Sequence, residues 1–457
     1  MTKDGEKRSA PSALRELGDS ARRSPGGRSR HGIKGSPLWA LLVIVAAAAA
    51  MAIVIPRTVH GGASGATAAE NPLGTLAQPC GTGLQIQMFS AGSGWIYSAY
   101  RPDPVWHTTT GGVTWEAAGP PAAKGNPAVA ACFVSAEEGW VVTAPPRFGP
   151  LQVWETADGG QRWKPLSQVA IPRTWFSATS NQGLAWRPVS LPVLDFASRS
   201  SGWLWLTGGP AAGGIMLGTE NGGRSWIRLP NPPAGTQSEL WLVTPSLGFD
   251  LTGKHGSSLG LWATHDGGRE WSQVSGLQCG EGKTCMVVVG RPAFANASDG
   301  SLLAVAEPNI DRLLTYATRD GGQRWSRVGT PLLLKTPFPT PVDQVTRSLA
   351  VLVAATALHD GTSLFALLRS ADGGRHWTST ASSGLGQGVP LSNVSFATPS
   401  VGWVWMPGAE VPGTRTGSSG PALFETKDGG SVWHRLRGPR GLTCTALPTP
   451  PPTGQSC

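Results

Sequence analysis

The chain has 457 residues, a formal net charge of +9 and only 14% charged residues, together with 62 glycines, 39 prolines and 20 tryptophans. This composition argues against a helical bundle and favours a turn-rich, all-β fold with many aromatic anchors. Residues 1–37 carry nine Lys or Arg and four acidic residues, so much of the positive charge belongs to the N-terminal tail. No basic stripe with stacking aromatics follows, and we expect no nucleic-acid partner.

An uncharged segment, LWALLVIVAAAAAMAIVI, occupies residues 38–55. A helix of this length covers about 27 Å, close to the ~30 Å hydrocarbon core of a bilayer. The long basic tail before it and the lack of a small-residue cleavage site directly after it favour a signal anchor over a cleaved signal peptide. Because basic residues stay cytoplasmic, we expect a single-pass protein of the cell membrane with an extracytoplasmic body.

All six cysteines follow this segment, and an even number in an exported body indicates disulfides. Cys279 and Cys285 flank the short loop CGEGKTC and are the predicted pair. The remaining four cysteines allow three pairings that the sequence does not distinguish; they are Cys80, Cys132, Cys444 and Cys457. The two-residue spacing of a zinc knuckle is absent, and we expect neither a metal nor a cofactor.

One eight-residue motif recurs seven times, and its first and last copies start 318 residues apart. The mean spacing of 53 residues is typical of propeller blades. The copies, numbered here as repeats 1 to 7, are TTTGGVTW (108–115), TADGGQRW (156–163), TENGGRSW (219–226), THDGGREW (264–271), TRDGGQRW (318–325), SADGGRHW (370–377) and TKDGGSVW (426–433).

Each copy lies between a short apolar strand and a short alternating strand, as expected of a hairpin turn. Upstream, repeats 1, 2, 3 and 7 have a second strand that begins with Gly-Trp, and repeat 4 has Gly-Phe there. With the apolar run before it, each repeat is predicted to form four strands. Repeats 5 and 6 lack the aromatic residue at this position, so their sheets are the least regular in pattern.

The motif has a structural explanation. The turn carboxylate can accept backbone N–H bonds, the glycines allow positive φ, and the indole packs beneath the turn. Thr110 and Asn221 replace the aspartate in repeats 1 and 3, and we expect looser turns there. The predicted structural residues are Asp158, Asn221, Asp266, Asp320, Asp372, Asp428, Trp115, Trp163, Trp226, Trp271, Trp325, Trp377 and Trp433.

The pattern S/T-x-D-x-G-x-x-W resembles the Asp-box, or BNR repeat, of sialidases, sortilin-type ectodomains, some glycoside hydrolases and the photosystem II stability/assembly factors. With the upstream Gly-Trp strand it is most similar to the last family, over roughly residues 80–440. The resemblance implies an all-β, seven-bladed β-propeller, here behind an N-terminal single transmembrane helix. It also implies that the Asp-boxes are structural turns away from the functional face.

Five segments are therefore predicted. They are a basic cytoplasmic tail (1–37), a transmembrane signal anchor (38–55), a linker (56–78), a propeller (79–440) and a Pro-rich C-terminal tail (441–457).

The sequence offers little for catalysis. A sialidase resembling this repeat type needs an arginine triad, a tyrosine nucleophile with a glutamate, and an aspartate, whereas the only tyrosines are Tyr97, Tyr100 and Tyr316. No nucleophile elbow, zinc-protease motif or phosphate loop is found. If the chain is an enzyme, the resemblance implies a sialidase-type glycosidase.

Cations between the second and third strands are predicted to share the face opposite the Asp-boxes. They are Arg101, Arg147, Lys254, Arg312 and Arg415. They suggest a mildly basic face that binds an acidic protein segment or lipid headgroups. The alternative is that they are scattered, solvated charges without a common ligand. We therefore expect a non-catalytic, membrane-anchored scaffold that binds a protein at the outer surface of the bilayer, as the assembly-factor resemblance implies. The alternative is an exo-sialidase-like hydrolase or a propeller that binds a glycan or small molecule.

Overall fold

Antiparallel strands make up nearly all the regular structure of the described residues, with one 3-10 turn at Arg173–Trp175. The computed structural model describes residues 84–99, 104–121, 126–145, 149–179, 183–186, 192–208, 213–235, 238–252, 260–277, 287–288, 291–305, 312–333, 339–344, 350–357, 363–385, 393–409 and 420–439. All of them belong to the compact unit Ala68–Cys457.

Six repeats fold into four-stranded sheets whose strands pair in chain order. Repeats 1 to 3 contain β1 (Leu84–Met88), β2 (Gly94–Ser98), β3 (Val105–Thr108), β4 (Glu116–Ala117), β5 (Ala128–Phe133), β6 (Gly139–Thr143), β7 (Leu151–Thr156), β8 (Lys164–Val169), β11 (Val193–Phe196), β12 (Gly202–Thr207), β13 (Gly214–Thr219) and β14 (Ile227–Leu229). Repeats 4, 6 and 7 contain β15 (Glu239–Leu242), β16 (Gly248–Thr252), β17 (Gly260–Thr264), β18 (Ser272–Gln273), β24 (Pro339–Gln344), β25 (Ala350–Ala357), β26 (Ser363–Ser370), β27 (Thr378–Ala381), β28 (Asn393–Phe396), β29 (Gly402–Ala409), β30 (Gly420–Thr426) and β31 (His434–Leu436).

The fifth repeat departs from this form. Its sheet has five strands, because β19 (Val287–Val288) and β20 (Ala293–Phe294) both pair with β21 (Gly300–Val305), which is followed by β22 (Arg312–Thr318) and β23 (Ser326–Leu333). Pro292 lies directly before β20, and a proline cannot donate to a strand ladder. The fold is a β-propeller with six regular four-stranded blades among the described residues, so the prediction of seven such blades is wrong.

A further hairpin lies between repeats 2 and 3. Strands β9 (Phe176–Thr179) and β10 (Gly183–Trp186) form a separate two-stranded sheet after the 3-10 turn. This insertion contains neither the Asp-box motif nor the Gly-Trp pair and was not predicted from the sequence.

No helix within the described ranges is long and apolar enough to cross a membrane. The predicted anchor at 38–55 lies outside those ranges, as do the predicted tails at 1–37 and 441–457 and the predicted linker at 56–78. Cys132 is disulfide-bonded. The other five cysteines, including the predicted pair Cys279 and Cys285, lie outside the described residues.

The hydrophobic core lies between neighbouring sheets. Separate buried clusters join repeats 1 and 2, 2 and 3, 3 and 4, 4 and 5, and 6 and 7. Another cluster packs Ile86 and Met88 of repeat 1 against Trp403 and Trp405 of repeat 7. Between repeats 5 and 6, Gly329 lies against Arg375 and Gly374 lies against Thr315. With this contact the sheets close into a ring in which neighbouring blades cover one another's faces.

The first strand of each sheet lies at the centre of this ring, since β1 contacts β28, β5 contacts β11, and β11 contacts β15. These strands have a free inner edge whose polar groups need partners. Asp195 Oδ2 accepts a bond from Leu242 N of the next repeat at 2.8 Å, and Ser395 Oγ accepts one from Met88 N at 3.1 Å. Gln87 Nε2 donates to Phe133 O at 3.1 Å.

These three side chains occupy the same sequence position, eight residues before the tryptophan of the second strand. Each reaches the corresponding edge residue of the next repeat, which satisfies buried backbone groups and orders the central edges.

In five of the seven repeats the first glycine of the Asp-box joins its repeat to the one before it, whereas Trp95 of repeat 1 donates to Ser135 O of repeat 2 at 3.0 Å instead. The glycine carbonyl accepts Trp140 Nε1 at Gly222 (3.0 Å), Trp203 Nε1 at Gly267 (3.0 Å) and Trp403 Nε1 at Gly111 (2.9 Å). The last of these bonds links repeat 7 to repeat 1. Among the described residues every four-stranded sheet is built from consecutive strands, so within them repeats 7 and 1 are joined by side-chain contacts of this kind rather than by a shared sheet.

Repeats 4 and 6 lack the tryptophan but retain the contact. His265 Nε2 lies 3.0 Å from Gly321 O, and Arg369 Nη1 donates to Gly429 O at 3.1 Å. Different side chains thus bind the same carbonyl of the following repeat, which explains why the Gly-Trp landmark can vary without loss of the junction.

The junction between repeats 7 and 1 can be tested with Trp403→Phe. Trp403 is fully buried, and the change leaves Gly111 O without its donor. We expect the free energy of unfolding, measured by chemical denaturation, to fall by about 1–3 kcal/mol more than in the control.

The matched control is Trp115→Phe, because the buried Trp115 Nε1 has no hydrogen-bond partner among the described residues. Both substitutions shrink an indole by a similar volume. Equal destabilisation by the two variants would contradict a stabilising role for the Trp403 bond.

Candidate binding site

The Asp-boxes form the same hydrogen-bonded turn in each repeat. In repeat 5, Thr318 Oγ1 donates to Asp320 Oδ1 at 2.8 Å and accepts from Gly322 N at 2.9 Å, while Asp320 Oδ1 accepts from Arg324 N at 3.0 Å. Across all seven boxes φ is 67–77° at the first glycine and 81–96° at the second. Residues with a Cβ rarely adopt these angles, which explains the glycine pair.

Hydrogen bonding keeps the turn carboxylates ionised. The backbone N–H and the imidazole of His376 lower the pKa of Asp372 to about 2. Backbone N–H bonds from Arg162 and Val432 likewise lower the pKa of Asp158 and Asp428. At Asp266 and Asp320 burial acts to raise the pKa, but the backbone and threonine hydrogen bonds outweigh it and the net pKa is lowered. These carboxylates already have partners within their turns, as a structural role requires.

The two substituted boxes keep the same connections. Asn221 Oδ1 accepts Ser225 N at 2.9 Å, and its Nδ2 adds a bond to Ser225 Oγ at 2.7 Å. Thr110 Oγ1 accepts Thr114 N at 2.9 Å. The looser turns expected from the sequence are not seen in these distances, because a neutral amide or hydroxyl oxygen can occupy the acceptor position.

The box tryptophans pack beneath their turns to different depths. Trp325 and Trp433 are 1% and 3% exposed, and their Nε1 groups bond to Gly322 O and Gly430 O of their own boxes. The other five are only half-buried; they are Trp115, Trp163, Trp226, Trp271 and Trp377.

The two deepest tryptophans are covered by the preceding repeat. After the outer strands β18 and β27, residues 275–277 and 383–385 leave their own sheets and cross to the next Asp-box, where each forms an isolated parallel bridge. We call these two Ser-Gly-Leu stretches the crossing segments. Leu277 and Leu385 pack against the clusters that contain Trp325 and Trp433.

Repeat 3 has no such cover. Strand β8 of repeat 2 stays paired with β7 as far as Val169, opposite Leu151, and the chain then enters the inserted hairpin. An open groove of about 470 Å³ remains beside Trp226. This repeat-3 groove is lined by Ser167, Gln168, Val169, Ala170, Ile215, Leu217, Arg224, Ser225, Trp226 and Arg228.

The groove combines an apolar floor with a basic rim. Ile215 and Leu217 are nearly buried, whereas Arg228 is exposed and has no ion-pair partner among the described residues. Arg224 Nη2 lies 3.5 Å from Glu155. A smaller cavity of about 220 Å³ lies between repeats 3 and 4, where Arg269 pairs with Glu220 at 2.9 Å. A floor of this kind with polar groups at its edge is typical of a binding site.

Only one of the predicted loop cations is described. Arg312 begins β22 and is exposed, while Arg101, Arg147, Lys254 and Arg415 lie outside the described residues. The basic residues at the groove come from the Asp-box and its following strand instead. The motif GGRSWIR contained this signal, but the sequence analysis assigned the boxes a purely structural role.

The described residues contain no accessible tyrosine for sialidase-type chemistry. Tyr97 and Tyr316 are 1% and 0% exposed within β2 and β22, and Tyr100 lies outside the described ranges. No group of three or more His, Cys, Asp or Glu side chains in those ranges is arranged to hold a metal ion.

One buried carboxyl stands out, on β16 of repeat 4. Asp250 is 0% exposed, and its Oδ2 accepts Ala234 N at 2.9 Å. Burial raises the pKa of Asp250 to about 7, and the neighbouring charge of Glu239 also raises it. Because Asp250 is sealed from solvent, it is a determinant of stability rather than a catalytic acid.

Asp250 should make stability fall as the pH rises. Its unfolded pKa is near 4, so between about pH 4 and pH 7 the folded chain binds more protons than the unfolded chain. Asp250→Asn should remove this dependence and raise the free energy of unfolding at pH 8 by roughly 2–4 kcal/mol. Denaturation curves across pH 4–8 measure both effects.

Asp372→Asn is the control. Because the pKa of Asp372 is lowered, its protonation affects stability only below about pH 4, so this variant should keep the pH dependence of the unsubstituted chain between pH 4 and pH 8. Parallel stability curves for Asp250→Asn and the unsubstituted chain would refute the burial effect.

No protein-family model matches the chain. No curated protein matches it either. Among solved structures, a YCF48 bound to a D1 peptide is 18% identical over 68% of this chain and 81% of that chain, with a TM-score of 0.38. YCF48 from Cyanidioschyzon merolae is 19% identical over 68% and 85%, with a TM-score of 0.39. The GH74 enzyme of Niastella koreensis is 12% identical over 81% and 68%, with a TM-score of 0.45. These likenesses concern the propeller fold alone.

Proposed function

We propose that this chain is a non-catalytic, membrane-anchored propeller that binds a protein partner on the outer side of the membrane. The observation that carries the proposal is the repeat-3 groove, an open inter-blade site with an apolar floor and, at its rim, Arg228, which has no ion-pair partner in the described part of the chain. An anchor at 38–55 and an extracytoplasmic body follow from the uncharged segment and the basic tail of the sequence.

The chemistry of the groove favours a polypeptide ligand. Backbone groups of the Asp-box border it beside the indole of Trp226, and aromatic and arginine side chains are enriched where proteins bind one another. The YCF48 structure that matches 68% of this chain has a D1 peptide bound to it. The predicted loop cations on the opposite face are a second surface that the same partner could contact.

Partner capture with charge-reversed variants tests this function. The full-length chain is purified from detergent-solubilised native membranes, and the captured proteins are quantified by mass spectrometry. We expect Arg228→Glu to reduce capture of the specific partner by about tenfold, equivalent to about 1.4 kcal/mol.

Arg435→Glu is the matched control, because Arg435 occupies the same position two residues after the box tryptophan of repeat 7 and is equally exposed. That variant should retain capture. Unchanged capture by Arg228→Glu would refute the site, and cleavage of a fluorogenic sialoside by the purified chain would refute the non-catalytic assignment.

A further inference from the structure

In repeats 5 and 7 a crossing segment fills the space beside the box tryptophan, which is bordered by residues 323–325 and 431–433. We call this space the slot. In repeat 5, Ser275 N donates to Gln323 O at 3.1 Å, and Trp325 N donates to Ser275 O at 2.9 Å. In repeat 7, Ser383 N donates to Ser431 O at 3.0 Å, and Trp433 N donates to Ser383 O at 2.9 Å. Two different crossing segments thus form the same pair of backbone bonds.

Both crossing segments place glycine at the next position for a steric reason. Gly276 and Gly384 each have a φ of 85°, and a Cβ on either would overlap the carbonyl oxygen of the box tryptophan. The leucine that follows then packs against the apolar cluster of the neighbouring repeat. The slot therefore selects an extended segment in which glycine precedes an apolar residue.

The corresponding slot of repeat 3 is open. By position in the box, Arg224 O and Trp226 N replace the acceptor and donor found at Gln323 and Trp325. Neither group has a backbone partner among the described residues. The wall residue Ser167 occupies the position of Ser382, since Ser167 Oγ bonds to Gly223 O as Ser382 Oγ bonds to Gly430 O.

The local chain does not supply a crossing segment here. After Ser167 the residues that would cross are Gln168, Val169 and Ala170, but Gln168 and Val169 remain paired with β7. They also lack the glycine that the slot requires. The repeat-3 groove therefore has the Ser167 wall of a filled slot, but the segment that would fill it remains in the sheet of repeat 2.

We propose that the repeat-3 groove binds an extended segment of a partner protein, through a parallel β-bridge to Arg224 and Trp226, and selects glycine followed by an apolar residue. This inference rests on the proposed protein-binding function and specifies the recognition element. Arg228 at the rim favours acidic residues flanking that element.

The test uses a capped peptide of residues 272–277, SQVSGL, with the full-length chain in detergent. Backbone hydrogen exchange is followed by NMR at the three tryptophan amides. Without peptide, the Trp325 and Trp433 amides are protected by Ser275 O and Ser383 O, and the Trp226 amide exchanges rapidly. Saturating peptide is expected to slow exchange at Trp226 on the order of tenfold, and to leave the other two unchanged.

Two controls define the contact. The peptide SQVSAL should not slow Trp226 exchange, because alanine disfavours the required positive φ. Ala170→Trp places a bulky ring in the groove at an exposed position and should abolish binding, whereas Ala371→Trp, at an exposed position in the box of repeat 6, should not. Thermal melting of both variants confirms that each is folded.

Unchanged Trp226 exchange with saturating SQVSGL would overturn the inference. So would binding of the SQVSAL peptide, or binding of SQVSGL by the Ala170→Trp variant. A Trp226 amide that is already protected without peptide would also overturn it, because another segment of the same chain would then fill the slot. Partner capture that survives Ala170→Trp would refute the slot and leave the proposed function standing. Peptide binding without any captured partner would refute the proposed function and leave the slot standing.

Discussion

The structure depends on the peptide group of the first Asp-box glycine, which bonds in two directions. Its N–H bonds within its own repeat to the turn between the first two strands, as in Gly222 N to Ser200 O at 2.7 Å. In five of the seven repeats its carbonyl accepts a donor from the preceding repeat, as in Trp140 Nε1 to Gly222 O at 3.0 Å. The same peptide group thus stabilises the turn of its own blade and attaches that blade to the preceding one, because the positive φ directs its carbonyl toward the preceding repeat.

This coupling explains why the groove arises where it does. Inner edges and box carbonyls are joined between neighbours by side chains, so the outer strand of each repeat is free to vary. In repeats 4 and 6 the chain after the outer strand crosses to the next repeat and covers its box tryptophan. Repeat 2 instead keeps β8 in its own sheet and inserts a hairpin, and Trp226 is left beside an open groove.

The repeat, the hairpin turn and its residue types could be predicted from sequence, because all of them are local. The pair Thr318 and Asp320 and the two glycines act within eight residues of chain. The ring junctions could not be predicted, since His265 and Arg369 replace the tryptophan at different sequence positions. The divided strand of repeat 5 and the β9–β10 hairpin also escaped prediction, because neither carries the Asp-box motif or the Gly-Trp pair by which strands were assigned.

For the site, the sequence predicted loop cations on the face opposite the Asp-boxes, and of these only Arg312 lies among the described residues. The groove instead exists because no described Ser-Gly-Leu segment crosses to repeat 3. This difference is recognised only by comparing the structure of repeat 3 with those of repeats 5 and 7. Arg224 and Arg228 were present in the quoted repeat, but the groove also needs Ser167 and Val169 of repeat 2 beside them, and this placement depends on the packing of two blades.

Native-state hydrogen exchange at the first-glycine amides tests the ring most directly, because Gly111 and Gly429 lie in the terminal repeats and Gly267 in a central one. If the glycine junctions close the ring into one cooperative unit, all three amides exchange only through global unfolding and give the same free energy of opening. Markedly faster exchange at Gly111 and Gly429 than at Gly267 would mean that repeats 1 and 7 separate independently, and would contradict the account.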